Sequence, residues 1–327
     1  MSEIKSRYLL FSVDVEPDAL HWKGHYRENQ TCKNQEDLPL LIELVKKFGV
    51  KPTFFITHSM ALERSIDRLM EPMLKNNFCE VGAHFHPGET PPFQKSKIKM
   101  LDNILSVPDE LLNAKFERLF SVLTPRFGSP RSYRAGAWTI DSRTIALLER
   151  HGFTIDSSVT PQVSWRLINR PSYLRAPQSA YYLDPFDPCK RGFSKILEIP
   201  VSIWSPRQIR GVFGEIFAAV FSMPLESRSG YIVRCIKAMR PYKPLWLRPA
   251  IFSIGEMIET AEKILQTENY VHIMCHSNEL SVGASPYSKT PEQRDVIVAR
   301  LKQFFAYARQ NGLIPMTLSE YAADSAG

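Results

Sequence analysis

Cys79–Pro92 reads CEVGAHFHPGETPP. Its opening carries Val81 and Ala83, ends in His84-Phe85-His86, and breaks at Pro87-Gly88. Residues i and i+2 of a strand point to the same face. A strand over this run therefore sets two imidazoles side by side where the strand meets a loop, which is a spacing suited to a metal ion. Histidine pairs in loops are often ordinary polar surface, so the reading depends on three other segments.

The first is Phe11–Asp18 (FSVDVEPD). Tyr8–Val15 is apolar and β-branched, which predicts a buried strand that Pro17 ends. Asp14 and Glu16 share one face at its C-terminal end. Two such carboxylates are costly unless paired, protonated or bound to a cation. The plain reading is a solvated loop start; the sharper one gives one carboxylate to a metal and the other to general-base work. The second segment is Arg131–Trp138 (RSYRAGAW), where Gly136 permits a tight turn. Arg134 just before it is placed to hold a buried carboxylate with a bidentate fork. The third is Tyr270–Leu280 (YVHIMCHSNEL), an apolar strand ending in a polar loop. His272 and His276 share a face but stand apart, and His276, at the strand end, is the site candidate.

Helical patterns follow the strands, over Asp37–Phe48, Glu63–Lys75, Asp109–Leu123, Ile140–His151, Ile254–Gln266 and Pro291–Asn311. Phe48-Gly49 and His151-Gly152 read as helix stops. Alternating strands and helices predict an α/β fold and meet what a parallel barrel requires, in which ligands lie at strand C-terminal ends, where Asp14, His84, Arg134 and His276 fall. A length of 327 residues suits one catalytic domain, 1–327, with insertions. The 44% hydrophobic and 23% charged residues fit a folded globular chain and exclude a disordered one.

In this order the segments resemble the metal-dependent polysaccharide deacetylases, the NodB-homology family of carbohydrate esterases. The resemblance runs from the Asp14 strand through Lys51–His58 (KPTFFITH), the His84 strand, the Arg134-Ala-Gly turn and Asp156-Ser-Ser to the His276 strand. Trp246-Leu-Arg-Pro, with His276–Leu280 and Gly283–Tyr287 (GASPY), resembles a branch linked to lipopolysaccharide and capsule gene clusters. The resemblance implies a distorted (β/α) barrel, a divalent metal, usually zinc, and hydrolysis of an N- or O-acetyl group on a sugar. It implies Asp14 as general base, Arg134 as the residue that orients it, His276 as general acid and Asp156 as that acid's support. Two positions depart from the family pattern. Val15 stands where a second aspartate is expected and Gly88 where a second histidine is expected. Glu16 and His86 are the substitute ligands beside His84, each chosen because it shares a strand face with its partner. Two further readings stay open: a sugar-binding relative without activity, and an amidase acting on a non-sugar C–N bond. Trp138, Trp165 and Trp246 are candidate surfaces for sugar rings, although tryptophans more often pack cores. Trp138, Trp246 and Arg248 are the candidate substrate contacts.

The net charge of +7 is uneven. Trp204–Ala250 holds Arg207, Arg210, Arg228, Arg234, Lys237, Arg240, Lys243 and Arg248 against only Glu215 and Glu226. Apolar runs lie between these charges. The segment reads as an insertion with a solvated basic face, or as a surface for an anionic membrane or a nucleotide- or lipid-linked sugar. It lacks a nucleic-acid-binding motif, so no nucleic-acid partner is expected. Cys32, Cys79, Cys189, Cys235 and Cys275 are scattered and odd in number, which suits free thiols in a reducing compartment. No signal peptide and no spanning segment is legible, so the expected location is cytoplasmic, or peripheral at the inner membrane surface.

Overall fold

The computed structural model describes residues 6–19, 31–93, 103–206 and 244–325. β1 (Tyr8–Val15) has the expected bounds and is buried throughout. Leu9, Phe11, Val13 and Val15 join the main apolar cluster beneath the helices. Tyr8 and Leu10, of opposite parity, belong to a second cluster with Phe55, Ile155, Ile199, Tyr270, Leu318 and Tyr321. The parity of this second set continues along the chain through Ser12 and Asp14 to Glu16, just past the strand.

The strands that follow are β2 (Pro52–Ile56), β3 (Glu80–Phe85), β4 (Ser132–Ala135), β5 (Ile155–Asp156), β6 (Tyr181–Tyr182), β7 (Leu197–Glu198), β8 (Ile203–Trp204), β9 (Leu245–Trp246), β10 (Tyr270–His276) and β11 (Ile314–Met316). Nine of the eleven form one sheet in the order β10-β1-β2-β3-β4-β5-β7-β6, with β11 beside the start of β1. Pairing is parallel except between β6 and β7. The sheet curls until the chain just past β7 meets β10. There Ser202 N donates to His272 O at 3.0 Å, and Leu247 N and Met274 N continue the seam through Ser202 O and Leu247 O. This is the expected distorted (β/α) barrel. The distortion lies in β5 and β7, two residues each, and in a closure made by irregular chain and the β8–β9 ribbon.

Helices α1 (Leu38–Phe48), α2 (His58–Ala61), α3 (Arg64–Lys75), α4 (Asp109–Phe127), α5 (Ser142–Arg150), α6 (Ile254–Ile264), α7 (Pro291–Gln310) and α8 (Leu318–Ser325) complete the described chain. Boundaries differ from the sequence pattern where caps decide them. Asp141 accepts from Thr144 N at 2.9 Å, so α5 starts at Ser142 and not at Ile140. A Ser253–Glu256 capping box opens α6. α4 runs to Phe127, four residues beyond the apolar pattern. Of the Lys51–His58 segment only Pro52–Ile56 is strand, because His58 opens α2. Cys32, Cys79, Cys189 and Cys275 are unbridged, and Cys275 is fully buried, as its parity predicts. Only the ends of segment 204–250, expected to be an insertion, are described. Its body, with Arg207, Arg210, Arg228, Arg234, Lys237, Arg240 and Lys243, lies outside the described residues. Among the described residues no helix is long and apolar enough to cross a membrane.

Candidate active site

Register brings the site together. Asp14 and His276 are Cα partners on β1 and β10, and His84 and Arg134 are partners on β3 and β4. Asp14, Glu16, His84, His86 and His276 are each at least 96% buried. Glu16 Oε2 lies 3.3 Å from His86 Nε2 and 3.7 Å from His84 Nε2, and the two Nε2 atoms are 3.2 Å apart. Zinc bound at about 2.0–2.2 Å with tetrahedral angles needs ligand atoms about 3.3–3.6 Å apart. The triad therefore fits a metal ion. Its orientation fits too. His84 Nδ1 donates to Arg134 O at 2.9 Å, which turns the Nε2 lone pair toward the centre. Asn278 Nδ2 donates to Glu16 Oε1 at 3.2 Å, leaving Oε2 facing the histidines. The strand-face substitution of Glu16 and His86 for the absent family ligands thus yields a converging donor set.

Gly136 acts differently from the expected tight turn. A Cβ there would lie 2.6 Å from the His86 ring, so glycine lets the backbone close on the imidazole. The turn itself falls on Ala137 and Trp138, with φ of 54° and 56°. Left-handed backbone at non-glycine residues costs about 1–3 kcal/mol each. Tyr173 Oη, donating to Trp138 O at 2.7 Å, and Arg170, donating to Ala137 O at 3.4 Å, help hold it.

Asp14 Oδ1 accepts from Arg134 Nη1 at 2.6 Å. Arg134 does not form the expected fork on one carboxylate, because its Nη2 goes to Ser12 Oγ and Ser157 Oγ. The other oxygen, Asp14 Oδ2, lies 3.6 Å from His276 Nε2 and 3.9 Å from His84 Nε2. Burial pushes the Asp14 carboxyl up, but Arg134, then His84 and His276, outweigh it and hold it below the usual value. Glu16 is likewise held well below its usual value, burial being outweighed by His276, His84 and His86.

Behind His276 stands a pair the sequence reading did not place. Glu279 Oε1 accepts from His276 Nδ1 at 3.0 Å and from Arg248 Nη2 at 2.5 Å. Burial opposes the imidazolium, yet Glu279, then Glu16, raise the His276 pKa overall. Burial also opposes the Glu279 carboxylate, but Arg248 and His276 bring it down to about 2. Arg248, expected to contact substrate, is turned to this carboxylate and lies over the Tyr287 ring at 5.3 Å. The signal for Glu279 was its spacing: a 3-10 helix over Ser277–Leu280 carries residue i+3 back over the strand end.

Asp156, expected to support His276, is elsewhere. Its neighbours Ile155 and Ser157 face the inner cluster and Arg134, so strand parity sends Asp156 to the other face. There it stands in register with Glu198 of β7, both fully buried. Their hydrogen-bond partners are each other, Ser157, Ser158 and Val159. With no ion-pair partner for either among the described residues, such a pair is expected to hold one proton between them. Burial raises both, and Asp156 adds to the rise at Glu198. The folded pair keeps a proton that the unfolded chain releases above about pH 4.5. Its stabilising contribution is complete below that pH and declines as pH rises. Glu198→Gln should flatten the fall in melting temperature between about pH 5 and 8. A slope equal to that of the parent protein would show that no proton is shared.

Trp138 and Trp246 meet edge to face at 5.7 Å, and Trp165 lies 6.3 Å from Trp246. Each of the first two is 8% exposed, so their broad faces are largely covered by protein.

The architecture has solved counterparts. A protein assigned as a polysaccharide deacetylase from Mycobacterium smegmatis aligns over 99% of this chain and 92% of its own, at 16% identity and a TM-score of 0.54. One assigned as a glycoside hydrolase/deacetylase from Parabacteroides distasonis aligns over 97% and 70%, at 13% identity and a TM-score of 0.62. The chain has the polysaccharide deacetylase fold. An allantoinase shares the same deacetylase-like architecture over 97% of this chain and 89% of its own, at 13% identity and a TM-score of 0.50. No protein-family model and no curated protein matches the sequence.

Proposed function

We propose that this chain is a metal-dependent hydrolase that removes an acetyl group from a sugar, N-acetyl ahead of O-acetyl, in the making of cell-surface polysaccharide or glycoconjugate. The observation that carries the reading is the convergence of Asp14 Oδ2 and His276 Nε2, 3.6 Å apart, on the centre framed by Glu16, His84 and His86. These three would hold a divalent cation such as zinc, which when bound would supply a Lewis acid and a water of lowered pKa. Asp14 takes the proton of the attacking water through Oδ2, while Arg134 holds Oδ1. An amine or alkoxide leaves poorly without a proton, and His276 Nε2 delivers it. Glu279 fixes the ring by accepting from Nδ1, which keeps Nε2 turned to the reacting bond. Asp156 has no part in this scheme. Trp138 and Trp246 offer only their exposed edges to a sugar, and Arg248 acts through Glu279.

A charged, partnered base and acid on one metal-ligand centre favours catalysis over the inactive sugar-binding reading. The amidase reading uses the same chemistry, and acetate release from acetylated sugars separates the two. A sugar carried on a nucleotide or lipid pyrophosphate, or an anionic membrane surface, would suit the charge of the 204–250 insertion, at the inner face of the membrane.

The test is zinc titration with acetate release. The protein should bind one zinc and release acetate from an N-acetylated sugar. His86→Ala should weaken zinc by about 10-fold or more, since a three-residue site cannot spare a ligand. Zinc affinity equal to that of the parent protein would remove His86 from the site.

A further inference from the structure

Below the base lies a buried histidine that the scheme leaves unused. His272 is fully buried on β10, two repeats of the pleat from His276. Its Nδ1 is 3.2 Å from Pro200 O, which only accepts, so Nδ1 carries the proton. Burial, then the Arg134 charge, bring its pKa down to about 3, so the ring is neutral and Nε2 is a bare acceptor. Ser12 Oγ, 2.8 Å from Nε2, must therefore donate to it. That hydroxyl in turn accepts from Arg134 Nη2 at 2.8 Å. Arg134 Nη2 also lies 3.5 Å from His272 Nε2, which can only accept, and the contacts of the guanidinium to Ser157 are equally directed. Nε donates to Ser157 O at 2.9 Å and Nη2 to Ser157 Oγ at 3.0 Å, and Ser157 passes its own proton to Ile199 O at 2.8 Å. Both chains of donors end on consecutive carbonyls, Ile199 and Pro200, where the barrel closes on β10.

We infer that His272 and Ser12 are positioning residues for Asp14: a one-way relay through Arg134 sets the rotamer of the base and ties it to the barrel seam. The inference rests on the proposed hydrolase reading. Every hydrogen in the relay has one direction, so the guanidinium cannot swing, and Asp14 Oδ2 is left at a fixed place. A core histidine retained only for packing needs none of this polarity.

The zinc-loaded full chain, assayed by acetate release, tests it. Ser12→Ala and His272→Leu should each lower kcat by about 10-fold or more, with KM within about 2-fold and zinc content unchanged, because misplacing a reacting group by a fraction of an ångström is costly. His272→Gln, which keeps an acceptor near the Nε2 position, should recover most of the loss. The double variant should be no slower than the slower single one, since both break one relay. Unchanged kcat in folded, zinc-loaded Ser12→Ala, or multiplicative losses in the double variant, would overturn the inference. If the unaltered protein releases no acetate, the hydrolase reading fails, and nitrogen NMR of the histidine rings decides the relay alone. His272 should then show a protonated Nδ1 and a bare Nε2 whose shift moves in Ser12→Ala. A ring protonated at Nε2, or one indifferent to Ser12→Ala, would refute it.

Discussion

Asp14→Asn should leave the protein folded and able to bind zinc, and lower kcat by about 10²–10⁴-fold, the usual contribution of a general base. The amide keeps the size of the carboxylate and can still accept from Arg134 through Oδ1, where the 2.6 Å contact is made. Its other atom becomes an NH₂ group that accepts no proton. Glu16, His84 and His86 are untouched, so metal content should separate loss of the base from loss of the site. The pH profile of kcat/KM in the parent protein follows from the same contacts. Arg134 holds Asp14 below the ordinary carboxylate value, and Glu279 lifts His276 above the ordinary imidazole value. The bell should accordingly be broad, its acid limb below about pH 4 and its alkaline limb above about pH 6.5, as properties of the coupled cluster. Asp14→Asn with parental kcat would remove Asp14 from the reaction.

Arg134→Met should be the most destabilising single change near the site. The guanidinium is 0% exposed, lies over the Phe55 ring at 4.4 Å, and donates to Asp14, Ser12 and Ser157. Methionine fills much of the volume but leaves the Asp14 carboxylate buried without its cation. Breaking a buried pair from one side costs about 3–5 kcal/mol, mostly for the stranded charge. Denaturant unfolding should show that loss, and a second change, Asp14→Leu, should return part of it by removing the stranded charge. A double variant as unstable as the sum of its parts would place the cost in packing instead.

How far the sequence could be read depended on distance along the chain. β1 and the inward parity of Asp14 and Glu16 follow from alternation within eight residues. His84 and His86 follow from the same rule, and the candidate ligand triad follows once β1 and β3 lie parallel on either side of β2. Asp156 was assigned by motif order, against the parity of its own strand, and the structure follows parity. Glu279 was missed because the chain leaves β10 for a 3-10 turn, where the i+3 spacing from His276 replaces the spacing by two. Arg248 reaches Glu279 because the chain just past β9 lies beside β10, where Met274 N donates to Leu247 O, a pairing that no local pattern announces. The seam at Ile199–Ser202 was equally hidden, since β5 and β7 are two residues long and carry no period.

The placement of base and acid on adjacent strands from distant parts of the chain also orders events during synthesis. β1 and β3 flank β2, so the side chains of Glu16, His84 and His86 can meet once three early strands have paired. His276 and Glu279 leave the ribosome much later, and β10 must then dock against β1, a pairing between sequence-distant segments of the kind that forms slowly. On the proposed reading, a nascent chain would thus acquire its candidate cation-holding groups well before its candidate proton donor, and acetate release should wait until that strand arrives.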